Sequence, residues 1–169
     1  ESRAQDFPRR IVYRPEKPML NSVTLTGTHV RLEPLQICHL EGLCEIGLDA
    51  DLWHWNPQPV LTRDAMRAYI EAALRDRSEG RALPFTIIAM EGKVSDRIAG
   101  STRFGNIDTL NRRVEIGWTW LARPFQRTAL NTEAKYLLLR HAFETLDCVR
   151  VEFKTDRLNT RSRTAIARI

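Results

Sequence analysis

The chain has 169 residues, of which 43% are hydrophobic and 28% charged, an ordinary make-up for a folded domain able to bury roughly 70% of its unfolded surface. No apolar run approaches the ~20 residues of a membrane span, and Glu1 to Arg14 is charged and lacks the apolar centre of a signal peptide. The net charge of +5 favours anionic partners, but no run of five or more basic residues occurs, which argues against nucleic acid, and the lack of an apolar span argues against a membrane partner.

The three cysteines are an odd count without metal-ligand spacing. They argue against a disulfide framework and for a reducing cytoplasm. His29, His39 and His141 likewise have no metal-like spacing and read as structural.

Residues 1–20 hold Pro8, Pro15 and Pro18 among charges and read as an extended N-terminal arm. The folded domain is expected over 21–169. Val23 to Pro34 reads as one strand or a pair of short ones, with Gly27 at a bend. Ile37, Leu40, Leu43, Cys44 and Leu48 mark a helix over 36–48. A loop holding Trp53-His54-Trp55-Asn56-Pro57 follows, and Thr62 is a good N-cap for a helix ending near Glu79.

Leu83 to Met90 is apolar and β-branched, the pattern of a buried strand, with a turn after it over 91–96. Arg97 to Ile107 is the next strand, and its small residues Ala99, Gly100 and Ser101 let something pack closely. In the strand after it, Val114, Ile116, Trp118 and Trp120 alternate with Glu115, Gly117, Thr119 and Leu121. Pro124 stops that ladder. A helix is predicted from Asn131 to Leu146, a strand over Val149 to Thr155, and a last helix from Asn159. This order predicts an α+β fold: a mostly antiparallel twisted sheet with helices on its faces.

A strand that feeds a helix through a tight loop aims backbone N–H groups and the positive end of the helix dipole at one point, a place suited to phosphate. Residues 111–134, NRRVEIGWTWLARPFQRTALNTEA, have that form. With the element order, they resemble the GNAT superfamily of acyl-CoA N-acyltransferases, of the RimJ/RimL type, over roughly residues 23–169. Gln126 to Asn131 stand where that family has Gln/Arg-x-x-Gly-x-Gly/Ala; Ala129 and Asn131 replace the small or glycine positions. Thr132-Glu133-Ala134 and Asn159-x-x-Ser162 match the type's other motifs.

The resemblance implies an N-acetyltransferase that moves acetyl from acetyl-CoA to a primary amine by direct attack on the thioester. The amine is a protein N-terminus or a small molecule. Gln126, Arg127, Thr128, Ala129, Leu130, Asn131 and Thr132 are then the pyrophosphate loop. Asn131 is a residue that tolerates left-handed backbone and is able to cap the helix. The cofactor arm is expected near Trp120, Leu121 and Arg123, with Asn159 on its amide or capping the final helix.

Glu115 is the candidate general base, its alternative being an ion pair with Arg112, Arg113 or Arg103. Asp108 is a second base candidate and reads also as a turn residue. Ser162 is the candidate proton donor to the departing thiolate, since the family's tyrosine has no counterpart after Tyr136. Trp53, Trp55 and Trp118 are expected to contact substrate, with Trp53 and Trp55 also readable as a seal on the core edge.

Two other functions fit the same residues: a non-catalytic acyl-CoA-binding or protein-interaction module, and a ribosome- or RNA-associated binding protein. Family members continue beyond the Asn-x-x-Ser helix with two further strands, so the sheet is expected to be C-terminally incomplete at Ile169. A homodimer that exchanges those strands is the alternative.

Overall fold

The computed structural model describes residues 21–90 and 96–169. The N-terminal arm, and all but the last residue of the turn over 91–96, lie outside that range. Six strands form one sheet in sequential order: β1 (Leu25–Thr26), β2 (Val30–Pro34), β3 (Leu83–Ala89), β4 (Arg97–Asp108), β5 (Arg113–Leu121) and β6 (Arg150–Glu152). The first five pair antiparallel, and β6 lies parallel to β5. Among the described residues, four α-helices accompany them: α1 (Leu40–Gly47), α2 (Arg63–Ser78), α3 (Ala129–Arg140) and α4 (Thr160–Ile166).

Helices cover both faces, as expected. Leu130, Ala134, Leu137 and Leu138 of α3 pack with Leu32, Phe85, Phe104 and Val114 on one face. Leu40 and Leu43 of α1 pack with Met66, Ile70 and Ala73 of α2 and with Trp53 and Trp120 on the other. Thr62 caps α2 by accepting from Ala65 N–H, which satisfies a donor that has no partner inside the helix. The predicted pair of short strands at the start is a hairpin closed by Gly27 N–H to the Val30 carbonyl, 2.8 Å.

The helix predicted from Asn131 begins two residues earlier. Its N-cap is Thr128, whose hydroxyl accepts from Leu130 N–H at 3.3 Å. Asn131 therefore lies inside the first turn rather than capping it. The left-handed residue is Arg127, φ 63°, one position before the cap. Beyond Arg140 the helix widens into a π turn over His141–Thr145.

The small residues of β4 have a definite neighbour. A side chain at Gly100 would collide with the Trp120 carbonyl and Leu121 backbone of β5. Just beyond that approach, the regular alternation expected for β5 fails. Ser101 pairs with Trp120 and Arg103 with Gly117, so two steps along β4 face three along β5. Trp118 lies between these pairs, with φ 49°. The bulge changes which face each side chain meets. Val114 and Ile116 point into the α3-side core, Trp120 into the α1–α2 core, and Leu121 back towards α3.

Candidate functional site

The parallel register of β5 and β6 spans only Arg113 to Glu115 against Arg150 to Glu152. Past that point β5 runs on to Leu121, while the chain after β6 leaves through Phe153 to Asp156 towards α4. The two strands therefore part, and a cavity of about 640 Å³ opens between them. Its floor is β5 from Ile116 to Leu121, and its far wall is the post-β6 segment with Asn159, Ser162 and Ile166 of α4. Gln126, Arg127, Thr128, Asn131 and Thr132 close one end; Asp51 to Asn56 and Tyr69 close the other.

The loop at the first end is held tightly. Pro124 sits in a single 3-10 turn, Arg123–Phe125, after the strand. Gln126 Nε2 donates to the Leu121 carbonyl at 2.7 Å, and Arg161 of α4 donates to Gln126 Oε1 at 3.0 Å. Thr128 also donates its hydroxyl proton to the Phe125 carbonyl, 2.9 Å. Ala129 and Asn131 are both helical and neither has positive φ. A glycine is thus not needed at either place for its backbone freedom.

Of the residues expected to hold a cofactor, Trp120, Leu121, Gln126, Arg127, Thr128, Asn131, Thr132 and Asn159 line the cavity. Three do not. Arg123 is drawn away by Asp49, Nε to Oδ2 2.5 Å, and by Asp51. Leu130 is buried in the α3-side core, and Ala129 is exposed. Asn159 caps α4, its Oδ1 accepting from Ser162 N–H at 3.0 Å. That bond brings the Asn-x-x-Ser pair together on the cavity wall.

Glu115 is not among the cavity-lining residues. Its carboxylate is 6% exposed and accepts from Asn106 Nδ2 and Lys154 Nζ, both at 2.6 Å. The ion-pair partner is thus Lys154, from the segment after β6, rather than Arg112, Arg113 or Arg103. Asp108 sits at the β4–β5 turn. Hydrogen bonds from Asn111 and Arg113 hold its carboxyl down to about 2, which makes it a poor base near neutrality.

The three tryptophans take different places. Trp53 is buried in the α1–α2 core and donates from Nε1 to the Gly47 carbonyl, 2.7 Å, while one edge reaches the cavity. Trp55 and Trp118 are 44% and 42% exposed and both line the cavity. The Trp118 ring lies against Gly105, where a Cβ would strike it, and the Arg103 guanidinium stands 5.1 Å from its centroid. The same guanidinium stands 5.3 Å from the Tyr69 ring centroid.

Lys135 is the residue the sequence reading missed. It lines the cavity from α3, is only 6% exposed, and donates to Thr119 Oγ1 at 2.8 Å. Burial lowers its pKa to about 8. The available signal was its spacing: Lys135 follows Asn131 by one helical turn, so both lie on the face towards the cavity.

A sequence model described as the acetyltransferase (GNAT) domain matches residues 29–169. The chain belongs to the GNAT acetyltransferase family. The uncharacterized N-acetyltransferase p20 of Bacillus licheniformis is 29% identical to this GNAT chain over 140 residues, covering 82% of the chain and 76% of that protein. The crystal structure of a GCN5-related N-acetyltransferase from Brucella melitensis is 27% identical with a TM-score of 0.77, over 88% of this chain and 66% of that one. RimL, the ribosomal L7/L12 alpha-N-protein acetyltransferase, shares the fold at TM-score 0.75 and 20% identity, over 87% of this chain and 79% of its own. The RimJ/RimL likeness thus holds at the level of the fold.

The GNAT cavity fits an acyl-CoA thioester by its donors. The N–H groups of Ala129 and Asn131, in the first turn of α3, have no partner within the helix. Arg127 adds a cation at the same end. Trp120 Nε1 is buried without an acceptor among the described residues, in a side chain that packs into the α1–α2 core. Among the same residues, no group of histidine, cysteine and carboxylate side chains could hold a metal, and no helix is long and apolar enough to cross a membrane.

Proposed function

We propose that this GNAT chain transfers acetyl from acetyl-CoA to a primary amine by direct attack on the thioester. The observation that carries the reading is the parting of β5 from β6 with the α3 N-terminus at one end of the gap. Acetyl-CoA supplies the activated acyl group. The first-turn N–H groups of α3 and Arg127 bind its phosphates, as helix N-termini do. β5 beyond Glu115 has no strand partner on its β6 side among the described residues, so its free edge is available to the amide-bearing arm. Ser162, fixed by Asn159, presents a hydroxyl from the opposite wall.

The acceptor enters from the aromatic end. Trp55, Trp118, Tyr69 and His54 form a wall that excludes water and packs the carbon next to the amine. The RimL structure is of a protein alpha-amine acetyltransferase, which makes a peptide N-terminus the first acceptor to try beside small amines. The setting is a reducing cytoplasm.

The test is turnover of acetyl-CoA with a panel of peptides and small amines, alongside calorimetry with CoA. Binding at micromolar CoA with amine-dependent thiol release supports the reading. CoA binding without turnover on any amine makes the chain a non-catalytic acyl-CoA module, and no CoA binding at all refutes both.

A further inference from the structure

Lys135 stands out among the buried ionisable groups. Its Nζ bonds Thr119 Oγ1 at 2.8 Å, and Thr119 in turn meets Thr102 Oγ1 at 2.8 Å. The Phe153 ring centroid lies 5.4 Å away, on the segment where the chain has just left β6. The amine therefore sits between the two diverging strands, bonded to β5 on one side and faced by an aromatic ring on the other. No ion pair to it exists among the described residues.

Arg127, Asp156 and Arg168 line the same cavity, and the other charged groups on the surrounding elements are engaged elsewhere. Glu115 on β5 and Lys154 after β6 hold each other. Glu133 on α3 turns to the β1–β2 hairpin, and Arg140 of α3 lies over Tyr136. Arg161 of α4 holds Gln126. On β4, Arg103 is directed to Asp76, on the α2 side. A lysine in such a place carries a desolvation cost that no carboxylate offsets. Its benefit must come from something that enters the cavity.

We infer that Lys135 is the proton donor to the sulfur that leaves the acyl carbon, a role resting on the acetyl-transfer reading above. As the amine nitrogen bonds the acyl carbon and the C–S bond breaks, the bonding pair stays on sulfur. Lys135 then gives it one Nζ proton and is left neutral. The proton released by the acceptor's nitrogen restores the ammonium, so the cycle closes without any other reactant. Burial supports this by bringing the lysine close to the range of a thiol, which makes transfer between them nearly balanced. A tyrosine is not required for the step.

The proposal is tested first on the unaltered protein, with CoA and desulfo-CoA as probes. Lysine-labelled NMR should show the Lys135 amine titrating at a different pH with CoA than with desulfo-CoA, by about one unit or more. Equal titration with both overturns the idea, because the amine then does not sense the sulfur. In Lys135→Met, the thiol of bound CoA, followed by thiolate absorbance, should titrate about one unit higher than in the unaltered complex. The kcat should fall at least tenfold, with CoA affinity changed less than threefold. An unchanged thiol titration in a folded Lys135→Met protein also overturns it. If neither CoA nor desulfo-CoA binds the unaltered protein, the acetyl-transfer reading fails instead.

Discussion

The carboxylate of Glu133 lies in the space a side chain at Gly27 would occupy. From there it accepts three backbone N–H bonds, from Thr28 at 2.8 Å, His29 at 2.6 Å and Val30 at 3.0 Å. The glutamate of the Thr-Glu-Ala motif is thus a staple between α3 and the first hairpin, with its side chain turned away from the gap. Burial opposes its charge, but the three N–H groups outweigh that and hold its pKa below the usual value.

Glu133→Gln should cost about 2 kcal/mol, the worth of a charge-assisted bond, and Gly27→Ala should cost a similar amount by forcing the carboxylate out. Because the folded pKa is depressed, the stabilisation is present above the ordinary glutamate range and is lost as pH falls through the folded value. Denaturant melts from pH 7 to pH 3 should show a steeper loss for the parent than for Glu133→Gln. Parallel curves would remove the staple from the account.

Glu115→Gln separates two roles. The pair with Lys154 is half in water, since the lysine is exposed, so the substitution should cost only about 1 kcal/mol. With the carboxylate outside the cavity lining, kcat should fall less than tenfold. A loss of roughly 10²-fold with an unchanged melting temperature would restore Glu115 as the general base.

Arg127→Gly tests the phosphate end. Glycine relieves the left-handed backbone, and the melt should hold or improve by about 1 kcal/mol. The cation is lost at the same time, so CoA affinity by calorimetry should drop roughly tenfold. Undiminished affinity would move the phosphates away from this loop.

Gly105→Ala tests the aromatic end. The new methyl meets the Trp118 ring, which must swing away from Arg103. The amine KM should rise several-fold while the Kd for CoA stays within about twofold. A matching loss of both would place Trp118 in general folding support.

The stability of the protein should also rise on the alkaline side. Lys135 has a folded pKa near 8, below its ordinary 10.5, so between those values the unfolded chain binds more protons than the folded one. Stability then increases with pH across that window. Lys135→Met should be more stable than the parent at pH 7, by about 3 kcal/mol at most, and the gap should close towards pH 10.5.

Much of this was legible in the sequence, for physical reasons that vary by element. Thr62 and the heptad-like spacing from Ala65 to Leu74 marked α2 because capping and amphipathicity are local. The strand–loop–helix over 111–134 was legible for the same reason. The bulge at Trp118 was not, because Trp118 and Trp120 continue the apolar spacing of Val114 and Ile116, so the inserted residue leaves the alternation of the sequence unbroken. Arg123 read as a cofactor ligand because its partners, Asp49 and Asp51, lie more than 70 positions away. Lys135 was hidden inside an apolar helix run, where a lysine ordinarily turns its ammonium outward.

The bulge at Trp118 makes β5 two half-strands out of phase by one residue. Removing Trp118 alone would close the bulge, leaving Gly117 and Trp120 two steps apart as Arg103 and Ser101 are on β4, so Trp120 would still face the α1–α2 core and Leu121 the α3 side. A one-residue deletion there should therefore be tolerated by both cores and felt at the aromatic end, through loss of the Trp118 ring from the cavity wall. Removing both residues between Gly117 and Trp120 should be the damaging change, because Trp120 would then turn towards the α3 aliphatics and Leu121 towards Trp53.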